Sequence, residues 1–137
     1  MVKNSRARQV LLALTALVFT GIALGSAFAP HEMAAGVGYS LDNVDALSEF
    51  RAVYVGLWLA TAVLLLVALR RIHEPILGDL GAILVLGQTG GRLLSLLLDG
   101  VPSGRIWPVF ILEALGGVAL LIVRPSEPGP PRSLMKW

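Results

Sequence analysis

The chain has 137 residues, of which 55% are hydrophobic and 15% charged, with a mean hydropathy of +0.77. Soluble domains carry about 25% charged residues, so the composition excludes an ordinary water-soluble globule. A net charge of +2 gives no electrostatic footing for nucleic acid, and the absence of cysteine removes disulfides, thiol catalysis and thiolate metal sites.

The first apolar stretch, Val10 to Ala29, holds no charge over twenty residues. That matches the ~20 residues needed to cross a bilayer core. Lys3, Arg6 and Arg8 precede it, and Ala27-Phe28-Ala29 resembles a signal-peptidase site, so a cleaved signal peptide is the competing reading. The run exceeds the ~7–15 apolar residues of a signal core, and Pro30 sits just after the cut, so a retained helix over about 9–29 is expected.

Residues 30–46 read as a polar linker containing Gly36 and Gly38, with room for a short interfacial turn. The second helix is expected over about 47–70, stopped by Arg70 and Arg71. After Ile72-His73-Glu74, Pro75 suits the first turn of a third helix over about 76–98. That helix is the least uniform, with Asp79, Gln88, Arg92 and several glycines. Asp99-Gly100-Val101-Pro102-Ser103-Gly104 is a turn by composition, and a fourth helix over about 105–124 carries Pro108 and Glu113. Residues 125–137, rich in proline, are expected to form a flexible cytoplasmic tail. No alternating strand pattern appears. The expected fold is therefore all-α: a polytopic membrane protein folded as one four-transmembrane-helix bundle.

Basic residues choose the orientation. Lys3, Arg6, Arg8, Arg70, Arg71, Arg124, Arg132 and Lys136 all fall on one side of a four-span chain, and Arg105 is alone in a loop on the other. The positive-inside rule places both termini in the cytoplasm.

Charges inside apolar helices are costly, about 2.5–3.5 kcal/mol each at the bilayer centre, and usually face the bundle interior in pairs. Glu49, Arg51, Arg92 and Glu113 fall roughly 3 to 11 Å below the outer boundary, with Asp99 capping the same side. Gln88, Arg92, Ser95 and Asp99 share one helical stripe; Arg51, Tyr54, Trp58 and Thr61 share a second; Phe110, Glu113 and Gly117 a third. Two pairings are expected: Arg92 with Glu113, and Arg51 with Glu49 or Asp99. The cluster reads either as ion pairs that fix helix register or as a pocket whose arginines clamp an anionic or polar headgroup. Trp58 is expected to line the core or a cavity, and Trp107 to anchor at the interface. Gly21 and Gly25, the glycines at 87, 90 and 91, and Gly116 and Gly117 are expected to pack helices within one bundle. His31 and His73 fall in loops on opposite sides and form no common metal site, and no nucleotide-binding or hydrolase motif occurs in a usable context. Neither a metal nor a cofactor is expected.

Ser48-Glu49-Phe50-Arg51-Ala52-Val53-Tyr54 with Gly56-Leu57-Trp58 resembles the second-helix signature of a bacterial membrane family. Gly91-Arg92-Leu93-Leu94-Ser95, Asp99-Gly100, Pro102-Ser103 and the lone Glu113 extend the likeness. The family is catalogued as a domain of unknown function, number forty-three forty-five. The resemblance covers roughly residues 10–124 and implies a four-helix bundle with Glu49, Arg51, Arg92, Asp99 and Glu113 as signature positions. It also implies a bacterial cytoplasmic (inner) membrane as the setting, and it supplies no reaction.

The expected function is that of a non-enzymatic accessory, scaffold or lipid-binding membrane protein. Its expected partners are membrane lipids, a larger membrane-protein assembly or further copies of itself, and not nucleic acid. The rivals are an intramembrane enzyme acting on a lipid or isoprenoid, with Glu113 or Glu49 as acid or base, and a proton- or ion-coupled transporter using Asp79 and Glu113.

Overall fold

A computed structural model describes residues 5–102, 104 and 106–125. The proline-rich tail beyond residue 125 lies outside the described residues, as do Ser103 and Arg105.

Leucine and alanine, strong helix formers, carry α1 (Ser5–Phe28) to the approach of Pro30, which disfavours helical backbone before it. Its buried positions, Arg8, Leu12, Ala16, Phe19, Ala23 and Ser26, recur every three or four residues and form one stripe. Pro30 opens the short α2 (Pro30–Gly36), so about two helical turns occupy the first part of the expected linker, in place of one short turn. Gly38, at φ +85°, turns the chain back, and the Tyr39 amide donates to the Ala34 carbonyl at 2.9 Å.

Asn43 caps α3 (Val44–Arg51): its Oδ1 accepts from the Ala46 amide at 2.8 Å. The rod then continues without a break through a π-helical segment, Ala52–Leu57, into α4 (Trp58–Arg70). Pro75 starts α5 (Pro75–Leu98), and after Gly100, at φ +95°, the chain reaches α6 (Trp107–Ile122). Among the described residues the secondary structure is all helical.

Three helices are long and apolar enough to cross a membrane: Arg6–Phe28, Val44–Arg70 and Pro75–Leu98, of 23, 27 and 24 residues. The helix expected over 105–124 is shorter, 16 residues or roughly 24 Å. Pro108 occupies its first turn, and the chain leaves the helix at Val123, just before Arg124 is constrained by Pro125.

The helices pack in chain order, α1 on α4, α4 on α5, and α5 on α6, while α1 and α6 meet only lightly. The core is built from Leu12, Phe19, Trp58, Leu65, Val85 and Leu120 with alanines between them. Small residues set the approach distances. A Cβ on Gly81 would lie 2.6 Å from Leu65 Cδ2, and one on Gly117 would lie 2.6 Å from Leu86 Cγ. Gly21, Gly87, Gly90, Gly91 and Gly116 have no such neighbour within 4 Å, so only part of the expected glycine packing is used inside the bundle. Outside the core, long apolar side chains stand exposed around the bundle, among them Leu17, Leu97, Leu112 and Ile122.

The adjacent glycines of α6 provide a test. Gly117→Ala forces Leu86 to shift and is expected to cost about 1–3 kcal/mol. Gly116→Ala meets open space and is expected to be neutral or to gain about 0.5–1 kcal/mol from helix propensity. Thermal unfolding in detergent reads the difference, and equal midpoints for the two variants would refute this account of the α5–α6 contact.

Candidate functional site

A guanidinium buried between helices needs an acceptor, and a planar fork matches a carboxylate edge. Arg92 on α5 donates from Nε to Glu113 Oε2 at 2.7 Å and from Nη2 to Oε1 at 3.1 Å. The two side chains are 25% and 8% exposed, so Glu113 is enclosed while Arg92 retains an open edge. The pair joins α5 to α6 below the turn that connects them.

The open edge of Arg92 faces a cleft of about 470 Å³ lined by Tyr39, Tyr54, Trp58, Gln88 and Ser95. Five of the sequence candidates, Tyr54, Trp58, Gln88, Arg92 and Ser95, thus meet around one space, with Glu113 behind Arg92. Tyr54 and Trp58 form one wall, backed by further rings. Phe50 lies on Tyr54 at 4.4 Å between ring centroids, Tyr54 is 5.0 Å from Trp58, and Trp58 is 5.2 Å from Phe19 of α1. Tyr39 approaches Tyr54 edge-on at 6.1 Å.

The remaining candidates stand apart. Glu49 and Arg51 are exposed and take part in no ion pair among the described residues. Glu49 lines a neighbouring cleft with Tyr39, Ser40, Phe50 and Tyr54. Asp99 is exposed and accepts from Ser95 Oγ at 2.9 Å. The pairing expected for Arg51, with either Glu49 or Asp99, does not form. Residues two apart face different sides of a helix, which separates Arg51 from Glu49. The π-helical segment accounts for the rest. Its wider turn advances fewer degrees per residue than an α-helix, so the inward stripe runs Phe50, Tyr54, Trp58 instead of Arg51, Tyr54, Trp58. Phe50 is buried and Arg51 is turned out.

A second charged cluster lies at the other end of the bundle. Arg8 is 1% exposed and donates through Nη2 to the Pro75 carbonyl at 2.7 Å and to Asp79 Oδ1 at 3.0 Å. Arg124 donates from Nε to Asp79 Oδ2 at 2.7 Å. One carboxylate thereby ties α1 and the end of α6 to the first turns of α5. Gly78 makes the space, because any Cβ there would overlap the Arg8 guanidinium. In sequence Arg8 reads as a flanking charge. The available signal was its place four residues before Leu12 on the buried stripe of α1.

A family model described as Domain of unknown function (DUF4345) matches residues 7–123. The chain belongs to this family. Comparison with curated proteins and comparison with solved structures give no match. In this DUF4345 chain the Arg92–Glu113 pair, Arg8 and Asp79, the aromatic wall and the cleft fall within the matched span, and Arg124 lies just beyond it.

The two clusters differ in what removal should cost. Arg92→Met or Glu113→Leu alone leaves a buried charge and is expected to lose about 3–5 kcal/mol, whereas the double variant recovers most of it. Arg124→Gln acts at a side chain 56% exposed and is expected to stay within about 1 kcal/mol of the parent. Asp79→Asn strands the enclosed Arg8 and should cost several times more than Arg124→Gln. Unfolding of the five variants in one detergent checks the order, and additive losses at Arg92 and Glu113 would show that their pairing carries no energy.

Proposed function

We propose that this DUF4345 chain is a non-enzymatic integral membrane protein that binds a polar or anionic lipid headgroup in the cleft beside Arg92. The observation that carries the reading is the half-used guanidinium. Arginine has five N–H donors. Glu113 engages two of them, and the outer edge borders the cleft with Gln88, Ser95 and Tyr54. Glu113 cancels the charge, which makes burial tolerable, while the free donors of Arg92 suit phosphate or carboxylate oxygens.

The membrane setting is supported by three long apolar helices and by the exposed leucines, isoleucines and valines around them. Water would not tolerate so continuous an apolar exterior. We assign α6 as a fourth span. At roughly 24 Å it is short for a hydrocarbon core of about 30 Å, a mismatch that local thinning and the flanking Trp107 and Arg124 can accommodate. Arg8, Arg70, Arg71 and Arg124 at one end of the bundle support cytoplasmic termini in a bacterial inner membrane, with the cleft opening outward. As the anionic partner of Arg92, Glu113 offers acceptor lone pairs and no proton, which favours binding over acid catalysis. Asp79, held by two guanidiniums, suits fastening of helices better than proton relay.

Native mass spectrometry of protein extracted gently from its own membrane tests the binding. The parent is expected to retain a lipid that Arg92→Gln loses, and Gln88→Leu, which leaves the ion pair intact, should weaken retention. An unchanged set of bound species in both folded variants would reduce the Arg92–Glu113 pair to a helix fastener. Orientation can be read separately, since the chain has no cysteine of its own. A cysteine at Ser40 should react with an impermeant maleimide in intact spheroplasts and one at His73 only after permeabilisation. The opposite pattern would invert the topology.

A further inference from the structure

The cleft that Glu49 lines has a volume of about 470 Å³ and adjoins the one beside Arg92. The two share Tyr39, Val53 and Tyr54, and meet along these side chains. Gly38, Ser40 and Leu41 place the Glu49 cleft at the connection between α2 and α3. The Arg92 cleft extends further along the same rod, to Leu57 and Trp58. Glu49 precedes Tyr54 by five residues, roughly 7 Å along the rod.

Adjoining surfaces thus carry opposite charges that do not meet each other. Arg92 keeps donors that Glu113 does not engage. Glu49 takes part in no ion pair among the described residues, and Arg51, two positions on, faces another side of the helix. Asp42 and Asp45, both exposed, deepen the negative field at the same end. A wholly anionic headgroup would be repelled by Glu49, and a wholly cationic one by Arg92. A zwitterion satisfies both. An α-amino acid carries its two charges on one carbon, too close together to reach both clefts. A phosphate and an amine joined by a short linker span them. The kind of amine is also constrained. Tyr54 lies between Phe50 at 4.4 Å and Trp58 at 5.0 Å, so its faces are covered and it offers no open cage to a quaternary amine. The carboxylate of Glu49 favours a primary ammonium, which has N–H groups to donate.

We infer that the two clefts together select the headgroup of an aminophospholipid, its phosphate on the outer edge of Arg92 and its primary ammonium beside Glu49. The order of the two clefts suits a lipid, with the amine toward the α2–α3 connection and the phosphate further into the bundle. The inference deepens the headgroup site proposed above and rests on it. Arg92 holds the phosphate that many lipids share, and Glu49 chooses among them. Because Glu49 is exposed, that choice is modest, about three- to fivefold.

Delipidated protein in detergent is offered equal amounts of phosphatidylethanolamine, phosphatidylcholine and phosphatidylglycerol with identical acyl chains, and native mass spectrometry counts what is bound. The parent is expected to retain phosphatidylethanolamine about three- to fivefold over each of the others. Glu49→Gln should still hold lipid, with the three species within about twofold of one another. Glu49→Lys should turn the preference to phosphatidylglycerol. Water-soluble phosphoethanolamine at the same concentration should not displace the lipid. Equal retention of the three lipids by the parent, a preference unchanged in Glu49→Gln or Glu49→Lys, or displacement by free phosphoethanolamine would each overturn the assignment. In all of these cases lipid retention that depends on Arg92 would still stand. Retention unchanged in Arg92→Gln would instead remove the headgroup site itself, and this inference with it.

Discussion

Every buried charge in this bundle has to be answered by another helix. Glu113 is enclosed and Arg92 partly so, and the two-pronged contact between them fixes α5 against α6. Asp79 does the same at the opposite end, drawing Arg8 of α1 and Arg124 beyond α6 onto the start of α5. In a membrane the hydrophobic effect gives little drive for one apolar helix to prefer another over lipid. Charge pairing and close small-residue contacts are then the terms that specify register. Gly78, Gly81 and Gly117 supply the clearance that lets the charged and branched side chains of neighbouring helices reach their places.

The same pairing shapes the cavities. A guanidinium fully wrapped by carboxylates would close the cleft. Glu113 takes one edge of Arg92 and leaves the other to the space lined by Gln88, Ser95 and Tyr54. Glu113 in turn faces the seam between α1 and α6, where the ring of helices is least tightly closed. One ion pair thus stands between the two spaces, with Arg92 lining the outer cleft and Glu113 bordering the seam. Trp58 forms the wall they share, and its contact with Phe19 continues the aromatic stack from α3 into α1.

The π-helical segment decides which residues of the second rod take part. In a regular α-helix the Arg51–Tyr54–Trp58 stripe would turn inward and bring a second cation to the cleft. The slower winding over Ala52–Leu57 instead brings Phe50 under Tyr54 and leaves Arg51 outside. A charge is thereby replaced by a ring stacked on Tyr54, and among the described residues Arg92 is the cation that lines the cleft.

Hydropathy and spacing determined most of the architecture by themselves. Long uncharged runs, breaks at Arg70-Arg71 and Pro75, and the turn at Asp99-Gly100 locate the helices to within a few residues, because each boundary has a local cause. The shared stripe of Gln88, Arg92 and Ser95 follows from helical periodicity, and the similar depths of Arg92 and Glu113 suggest the pairing that the α5–α6 contact makes. Tertiary structure decided the rest. Arg8 looks like a flanking topogenic charge until the approach of Gly78 gives it a buried place beside Asp79. Arg51 looks inward-facing until a π turn rotates it away; that turn lies against α1, and no local sequence signal announces it. Which glycines are packed, and where the seam between α1 and α6 stays open, follow from distances between helices, which no periodicity within one helix encodes.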